Sequence, residues 1–381
     1  ADASEGDLGT RGPSDPLRTR LGTSGGDRGP PVSGNRTHGP CRTVRRSELP
    51  ARRIGRVRVN PARLHPSSVE PMILCCGEAL IDFMPFRDSE AQTAYRSCPG
   101  GSPLNTAVAL GRLGTSVGFL SGISQDLFGN LLVSHLEESG VNCSLLCRVD
   151  HDTTLAFVSA ESAAGEVEYA FYAKETADRS LKLTDLPSCL PESVRALQFG
   201  SVSLVMEPTA STLEALMLRE SPHRLISLDP NIRPNLIPDR TAYRMRFEGW
   251  LAQVHLLKAS VTDLAWIYPG ENFSEVISRI MSRRVQAVFL TDGEKGAWVY
   301  TRNQRVFAEA VSVNVLDTVG AGDSFHAAIL HKLAELNYLD PGGLDRIGEE
   351  DLGICLRFAN KVAALTCTRA GADPPRKSEV V

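Results

Sequence analysis

The residues whose types and spacing best suit chemistry lie in one glycine-rich stretch, residues 317–323, with the sequence D-T-V-G-A-G-D. The apolar run at 311–315 before it predicts a strand, and the apolar residues after it, between Phe325 and Leu336, recur at helical spacing. The glycines therefore open a helix, where they leave room for an anion beside unpaired N–H groups at the positive end of the helix dipole. This pattern predicts an anion-binding site.

A carboxylate, Asp323, lies inside the predicted anion site. Because a carboxylate there would repel a bound phosphate, its position favours a role between the phosphate and an attacking hydroxyl, as the base for the hydroxyl proton. A plainer alternative is a helix N-terminal carboxylate that the dipole stabilises, next to glycines that only make a tight connection. The glycines match neither a Walker A loop nor a dinucleotide-binding fingerprint, since the other residues of those motifs are missing. The stretch alone leaves both interpretations open.

The same stretch resembles the C-terminal signature of the ribokinase-like (pfkB) carbohydrate kinases. The resemblance implies that Asp323 accepts the proton of a sugar hydroxyl. It also implies that the backbone of Gly320, Ala321 and Gly322 holds the transferring phosphate. Weaker motifs follow one another in the family's order and spacing over residues 73–375, so the resemblance covers nearly the whole chain that is predicted to be ordered.

A second glycine motif precedes another predicted helix. Residues 99–107, P-G-G-S-P-L-N-T-A, by themselves indicate only a glycine turn followed by a polar side chain. They resemble the family's G-G-x-x-x-N-x-A signature, which implies that Gly100, Gly101 and Asn105 bind sugar hydroxyls. An amide side chain suits a hydroxyl because each group both donates and accepts hydrogen bonds.

Three further motifs carry charged residues. Residues 73–82 predict a buried strand that ends at Asp82, which occupies the family's strand-end aspartate position and is implied to bind the sugar. Residues 229–234, D-P-N-I-R-P, follow another predicted strand. There Arg233 is either a solvated loop side chain or, as the resemblance implies, a guanidinium fork near the substrate or the transferring phosphate. In a G-x-x-x-D-x-x-G turn, Asp126 is predicted to brace the next helix.

The resemblance also implies a nucleotide and metal side of the site. Asp263 would help to organise Mg²⁺ through water, although the N-x-x-E element of many relatives is here S-x-x-D. Asp317 would bind a monovalent cation, K⁺, together with the turn at 371–372. The residues implied to bind ATP are Lys258, Ser260, Thr291, Gly293, Gly296, Gly320, Gly322 and Asn360.

Charge and composition divide the chain in two. Residues 1–70 have a net charge of +6 and contain ten Gly, eight Pro and no aromatic residue, which predicts a disordered basic extension, whereas the remainder has a net charge of −10. The acidic body argues against nucleic acid as a partner, and no apolar run is long enough to cross a membrane. Nine cysteines without zinc-site spacing predict free thiols in a cytoplasmic protein.

The elements that must position these residues alternate between strand and helix from residue 72 to residue 376. Short buried strands alternating with helices indicate an α/β fold with a doubly wound, mainly parallel sheet, flanked by helices, whose ligands gather at the C-terminal ends of the strands. Within residues 153–173, polar and apolar residues instead alternate around a turn at 163–165, which predicts an antiparallel hairpin. The resemblance implies that this hairpin and a strand around 91–98 form a small antiparallel β lid, through which relatives often form homodimers.

Together these motifs predict ATP-dependent phosphorylation of a sugar hydroxyl. The motifs at 76–82, 98–105 and 229–234 look like those of the fructokinase branch, which implies that D-fructose is converted to fructose 6-phosphate. A 2-keto-3-deoxygluconate kinase, or another pfkB sugar kinase, is the nearest alternative. A non-catalytic nucleotide or sugar sensor on the same fold is the alternative from another class, and the intact Asp323 disfavours it.

Deleting residues 1–70 should leave sugar kinase activity unchanged, because every motif that carries chemistry lies after them. The measurement is kcat and KM of a chain that begins at Pro71, compared with the full chain. A clear fall in kcat would show that the basic extension contributes to the active protein.

Overall fold

The computed structural model describes residues 70–87, 92–158 and 169–380. The extension predicted to be disordered, residues 1–70, lies outside the described residues except for the last one, and so does the predicted turn at 163–165. Strands and helices alternate along most of the described chain. The strands are β1 (Met72–Cys76), β2 (Leu80–Arg87), β3 (Thr93–Gly100), β4 (Val117–Leu120), β5 (Gly122–Ser124), β6 (Cys147–Val149), β7 (Thr154–Val158), β8 (Tyr169–Tyr172), β9 (Val194–Gly200), β10 (Leu225–Asp229), β11 (Leu256–Ser260), β12 (Ala287–Thr291), β13 (Ala297–Thr301) and β14 (Arg305–Ala308). The helices are α1 (Ser102–Arg112), α2 (Leu127–Glu138), α3 (Thr209–Glu220), α4 (Arg240–Trp250), α5 (Val261–Ile267), α6 (Phe273–Met281), α7 (Ala321–Glu335), α8 (Gly343–Arg346), α9 (Glu349–Cys367) and α10 (Lys377–Val380).

Eight strands form the main sheet, in the order β14-β13-β12-β11-β10-β9-β1-β4. The six strands from β12 to β4 in this order are parallel, and β13 and β14 continue the sheet as an antiparallel hairpin at one edge. One hydrophobic core lies between the sheet and α1, α2, α7 and α9, and a second lies between the sheet and α3, α4, α5 and α6. This arrangement confirms the predicted doubly wound α/β class.

A four-stranded sheet, with the order β3-β2-β7-β8, is the lid sheet. Its two outer pairs, β2–β3 and β7–β8, are antiparallel as predicted, but β2 and β7 join them in parallel, so the lid is mixed and not wholly antiparallel. In this parallel register Leu80, the first residue of β2, pairs with Thr154, the first residue of β7. The stacked rings of Phe83 and Phe157, with centroids 4.4 Å apart, fasten the two pairs together.

The prediction of one strand over residues 73–82 is wrong. Strand β1 ends at Cys76, and β2 begins at Leu80 in the lid sheet, so Asp82 lies on a lid strand and not at the end of a main-sheet strand. The break falls at Gly77, whose φ is 153° and where a Cβ would lie 2.4 Å from Pro103 Cγ. Periodicity could not reveal the break, because the residues on both sides of it are buried.

The prediction of a strand at 311–315 is also wrong. The segment is irregular, and Val311 and Val315 are exposed. The hairpin of β13 and β14 already forms this edge of the main sheet, and the segment runs on from it toward the glycine stretch.

The predicted start of the helix after the glycine stretch is confirmed. Helix α7 begins at Ala321, directly after Gly320 in the left-handed conformation, and Phe325 is among its buried residues. All eight cysteines in the described ranges are free. Within the described ranges, no helix is long and apolar enough to span a membrane.

Candidate active site

The glycine stretch forms a tight loop before α7. Gly320 has a φ of 76°, and a Cβ on it would lie 2.7 Å from the Cβ of Ala372, so only glycine fits between this loop and the neighbouring turn. The amide of Ala321 donates to the carbonyl of Thr318 at 3.2 Å and is used inside the loop. The Ala321 amide is therefore not available to a phosphate, and Ala321 only separates Gly320 from Gly322 in the predicted phosphate-binding stretch.

Two backbone N–H groups at the start of α7 can donate hydrogen bonds to a ligand. Among the described residues, the structure gives no acceptor for the backbone N–H groups of Gly322 and Asp323, the second and third residues of α7. Unpaired amides in the first turn of a helix, at the positive end of its dipole, form an anion site. The predicted anion hole therefore rests on these two amides.

The carboxylate of Asp323 is buried, and two side chains of α1 hold it. Oδ1 accepts a hydrogen bond of 2.6 Å from Ser102 Oγ, and Oδ2 accepts one of 2.9 Å from Asn105 Nδ2. Each carboxylate oxygen has a second lone pair, so Oδ2 can still accept from a substrate hydroxyl. The structure thus brings the predicted base and the predicted sugar-binding Asn105 together.

A cleft of about 310 Å³ lies in front of Asp323, and we call it the sugar cleft. Its polar lining includes the carboxylates of Glu78 and Asp82, and its cation is Arg233. Its apolar wall comes largely from the lid sheet, through Leu80, Met84, Val158 and Phe171. This volume suits a small polar ligand.

The lid carries Asp82 into the sugar cleft over a glycine. A Cβ on Gly100 would lie 2.1 Å from Asp82 Oδ2, so the carboxylate occupies the space that a side chain would fill. Gly101, with a φ of 109°, precedes α1, and a Cβ on it would lie 2.6 Å from the backbone carbonyl oxygen of Glu78. Burial raises the pKa of Asp82 to about 6, against the opposing effect of the Arg233 guanidinium.

Arg233 is exposed at the mouth of the sugar cleft on a loop that two carboxylates hold. Asp229 accepts from the amide of Asn231 at 3.2 Å, and Asp263 accepts from the amide of Ile232 at 2.9 Å. The guanidinium itself donates to Asn231 Oδ1 at 2.7 Å. Since these contacts leave donors of the fork unused, Arg233 can bind a ligand without breaking the loop.

A buried lysine lies behind the anion site. Lys258 Nζ is 2.8 Å from Asp229 Oδ2, and a Cβ on Gly322 would lie 3.0 Å from the same nitrogen. Burial works against the charged form, but the neighbouring carboxylates, first among them Asp229, outweigh it and raise the pKa of Lys258. A permanent positive charge therefore stands beside the unpaired amide of Gly322.

A second cleft, of about 890 Å³, opens on the other side of the loop, and we call it the nucleotide cleft. Among the residues predicted to bind ATP, Thr291, Gly293, Gly296 and Asn360 line it. The amide nitrogen of Asn360 is already used, since it donates to the carbonyls of residues 308 and 309, so it holds the cleft wall in place. Apolar residues such as Phe325 and Ala364 provide a surface that suits a flat ring.

Five predicted site residues lie outside the linings of both clefts: Gly100 and Lys258, described above, and Ser260, Asp263 and Asp317. Ser260 caps α5, and Asp263 accepts hydrogen bonds from Ser260 and from the Ile232 amide with its two oxygens. Asp317 accepts from the amides of Val319 and Gly371, which ties the glycine loop to the turn at 371–372. Ser260, Asp263 and Asp317 therefore hold backbone segments in place through these hydrogen bonds.

The sequence analysis missed two residues of the site, Glu78 and Ser102. Both lie within motifs that contain predicted residues. However, Ser102 contacts Asp323 and Glu78 contacts the amide of Ser203, and these contacts join segments that are far apart in sequence. The only signal was their place inside recognised motifs.

The sugar cleft and the nucleotide cleft share Thr318 and Gly322 as lining residues. A ligand in one cleft therefore meets a ligand in the other at the anion loop, with Asp323 on the sugar side. This geometry defines a two-substrate site for transfer of an anionic group to a small polar acceptor.

The chain belongs to the pfkB family of carbohydrate kinases, whose family model matches residues 70–379. It is a phosphotransferase that acts on a sugar hydroxyl.

Relatives of this chain include proteins named as fructokinases. The chain is 37% identical to a fructokinase of Rhizobium leguminosarum bv. trifolii over 81% of its own length and 88% of the relative's. It is 33% identical to a probable fructokinase-5 of Arabidopsis thaliana, over 80% of its own length and 94% of the relative's.

Solved structures agree on the fold. A fructokinase of Xylella fastidiosa with bound ATP superposes with a TM-score of 0.75 at 29% identity, over 82% of this chain and 97% of the other. A fructokinase of Vibrio cholerae O395 with bound fructose, ADP and calcium gives a TM-score of 0.71 at 25% identity, over 82% of this chain and 98% of the other.

The pKa of Asp82 generates a pH prediction. The ionised carboxylate accepts hydrogen bonds from sugar hydroxyls more strongly than the protonated acid does, so lowering the pH through about 6 should raise KM for the sugar. Below that pKa, KM should rise by at most about tenfold per pH unit. Arg233→Gln removes a positive charge that lowers the pKa of Asp82. In this variant the rise in KM should therefore begin at higher pH. The measurement is KM between about pH 5 and pH 8, where reference carboxylates are ionised.

Asp82→Asn serves as the control for this prediction, because its amide does not titrate. Its KM should be higher throughout and should lack the step near the pKa of Asp82. An unchanged step in Asp82→Asn would assign the titration to another group.

Proposed function

We propose that this protein is an ATP-dependent fructokinase, which converts D-fructose to fructose 6-phosphate and ADP. The observation that carries the proposal is the meeting of the two clefts at Gly322, with the buried Asp323 on the sugar side. The fructokinases of Rhizobium, Xylella and Vibrio named above support the choice of sugar.

The residues around the loop divide the work of phosphoryl transfer. A fructose hydroxyl in the sugar cleft attacks the terminal phosphorus of ATP, its proton passes to Asp323 Oδ2, and the bond from that phosphorus to the departing ADP oxygen breaks. The amides of Gly322 and Asp323 donate to the transferring phosphoryl group, and Lys258 adds positive charge from behind. Arg233 closes the site from the exposed side, where its fork can reach phosphate oxygens.

The remaining predicted residues hold the two substrates. Asp82, Asn105 and the backbone at Gly101 bind the sugar, with Gly100 leaving room for Asp82. Thr291, Gly293, Gly296 and Asn360 form the wall against which ATP lies. Binding both substrates at fixed positions removes the entropy cost of bringing them together during the reaction.

Mg²⁺ would be held mainly by the phosphates of ATP. The described residues contain no cluster of three side chains that suits a metal ion, and both oxygens of Asp263 already accept hydrogen bonds. Mg²⁺ commonly keeps several waters and binds substrate phosphates, so bound metal would supply charge neutralisation there. Because Asp263 fits poorly as a ligand, we derive no step through it.

The charges of the sugar cleft favour a neutral substrate. Glu78, Asp82 and Asp323 are acidic, and Arg233 is the cation among the lining residues, although burial raises the pKa of Glu78 to about 7 and so reduces its negative charge at neutral pH. A sugar acid such as 2-keto-3-deoxygluconate would bring a further negative charge next to these groups, which costs free energy unless a second cation pairs with it. The hydroxyls of fructose instead donate to carboxylates.

Location, assembly and cation use complete the proposal. The free cysteines support a reducing, cytoplasmic location. Exposed Tyr95 and Tyr172 on the lid sheet support a homodimer through the lid. The position of Asp317 between the glycine loop and Gly371 supports a K⁺ site, in line with a Vibrio cholerae fructokinase variant solved with bound potassium.

Replacing Asp323 by Asn should lower kcat by roughly a hundred- to ten-thousandfold, because the amide keeps the size of the side chain but cannot take the proton. KM for fructose should change little, since the other groups of the sugar cleft remain. The measurement is ADP release at saturating ATP. The control is Glu350→Gln, which neutralises an exposed carboxylate of α9 outside both clefts. Near-normal turnover in Asp323→Asn would end the proposed mechanism.

A substrate panel tests the choice of sugar. ADP release should be fastest, at low sugar concentration, with fructose, and much slower with ribose or 2-keto-3-deoxygluconate. Faster turnover of 2-keto-3-deoxygluconate would contradict the charge argument. Absence of turnover on every sugar, with ATP still bound, would favour the sensor.

A further inference from the structure

Ser102 makes a contact that the proposed reaction has not yet used. Its hydroxyl donates to Asp323 Oδ1 at 2.6 Å, and both groups are buried. The helix that Ser102 begins has no side-chain cap, so this hydroxyl does not serve to cap α1. A short hydrogen bond to an ionised oxygen is among the stronger ones in proteins.

Glu78 holds Ser102 from the opposite side. Its Oε1 accepts from the Ser102 amide at 3.2 Å, and its Oε2 accepts from the Ser203 amide at 3.1 Å. Glu78 has an exposed fraction of 3%, and no cation of the described chain lies within ion-pair distance of it. A buried carboxylate without a cation is costly, and here its compensation comes from backbone amides that flank the sugar cleft.

The second of these amides belongs to another wall of the sugar cleft. The segment with Ser201 and Val202 lines the cleft, and Ser201 has a φ of 58°, a left-handed conformation that is strained for serine. Ser203 fastens this segment through its hydroxyl, which donates to the carbonyl of Gly200 at 2.6 Å. Glu78 thus joins two walls of the cleft, and one of them carries Ser102.

We propose that Ser102 is a positioning residue for the base Asp323, and that Glu78 acts on Asp323 through Ser102. Glu78 fixes the backbone of Ser102, and the Ser102 hydroxyl then holds Oδ1. The carboxylate cannot rotate freely, so Oδ2 presents its remaining lone pair to the sugar hydroxyl. The inference rests on the proposed role of Asp323.

The two backbone N–H groups that donate to residue 78 need two acceptor oxygens there. Glutamate offers two acceptor oxygens to two backbone N–H groups, whereas glutamine would turn an N–H₂ group toward one of them. Glu78→Gln therefore leaves the amide of Ser102 or of Ser203 without its partner, and the effect on Asp323 should pass through the Ser102 hydroxyl.

The first measurement is Ser102→Ala, which removes one oxygen from a helix residue and disturbs nothing else. The lost hydrogen bond to a charged group should lower kcat by roughly ten- to a hundredfold. KM for fructose should change little, since the hydroxyl acts on the base, and the midpoint of thermal unfolding should stay close to that of the unaltered protein. A kcat equal to that of the unaltered protein would overturn the inference.

The second measurement is a double-mutant cycle on kcat with Glu78→Gln and Ser102→Ala. If Glu78 acts through Ser102, Glu78→Gln should lower kcat in the unaltered background but have little further effect once the Ser102 hydroxyl is gone. A purely structural Glu78 would give the same factor in both backgrounds, and that additivity would also overturn the inference.

Asp126→Asn provides the matched control. Asp126 likewise joins two segments, since it accepts from the amides of Gly129 at 2.6 Å and Thr153 at 2.9 Å, but it lines neither the sugar cleft nor the nucleotide cleft. Its substitution should lower the unfolding midpoint, and any factor in kcat should be the same with and without Ser102→Ala.

The outcomes separate this inference from the proposed function. If Asp323→Asn keeps turnover, the base assignment fails, whatever the cycle shows. If Asp323→Asn is inactive and the cycle is additive, the base stands and the positioning role fails. Should Glu78→Gln not be recovered folded, Ser102→Ala decides alone, since its kcat either falls or does not.

Discussion

The active site depends on the meeting of two helix N-termini. The first turn of α1 supplies Ser102 and Asn105, the first turn of α7 supplies Asp323, and the hydrogen bonds between them fix both helices at one point. A carboxylate near helix N-termini is favoured by the backbone dipoles, so its charge is tolerated in a buried place. The same dipoles attract a phosphate, so one electrostatic arrangement can serve both the proposed base and an anionic substrate.

Glycines make this meeting possible at the level of the backbone. Gly101 and Gly320 both have positive φ values and both pass close to another segment, Gly101 to the carbonyl of Glu78 and Gly320 to Ala372. Any other residue would push the helices away from these neighbours. Behind them, the paired charges of Lys258 and Asp229 lie almost fully buried, where removal of either partner would leave an uncompensated charge.

The sequence predicted what local rules determine. The start of α7 and the anion loop followed from glycines next to a helical period, and the α/β class followed from the alternation of buried strands and helices. Asp82 was assigned to the wrong sheet because continuous burial hides the break at Gly77. Glu78 and Ser102 were missed because their partners lie far along the chain, where periodicity has no information.

The parallel junction of β2 and β7 has a consequence for the order of folding. Each hairpin of the lid can form locally, but their junction pairs Leu80 with Thr154, with α1, β4, β5, α2 and β6 between them in sequence. Contacts between distant segments form slowly, because the intervening chain must first become ordered. The two hairpins can therefore form before the junction between them, and the sugar cleft gains its complete apolar wall only when that junction closes, because Leu80 and Met84 come from one hairpin and Val158 and Phe171 from the other.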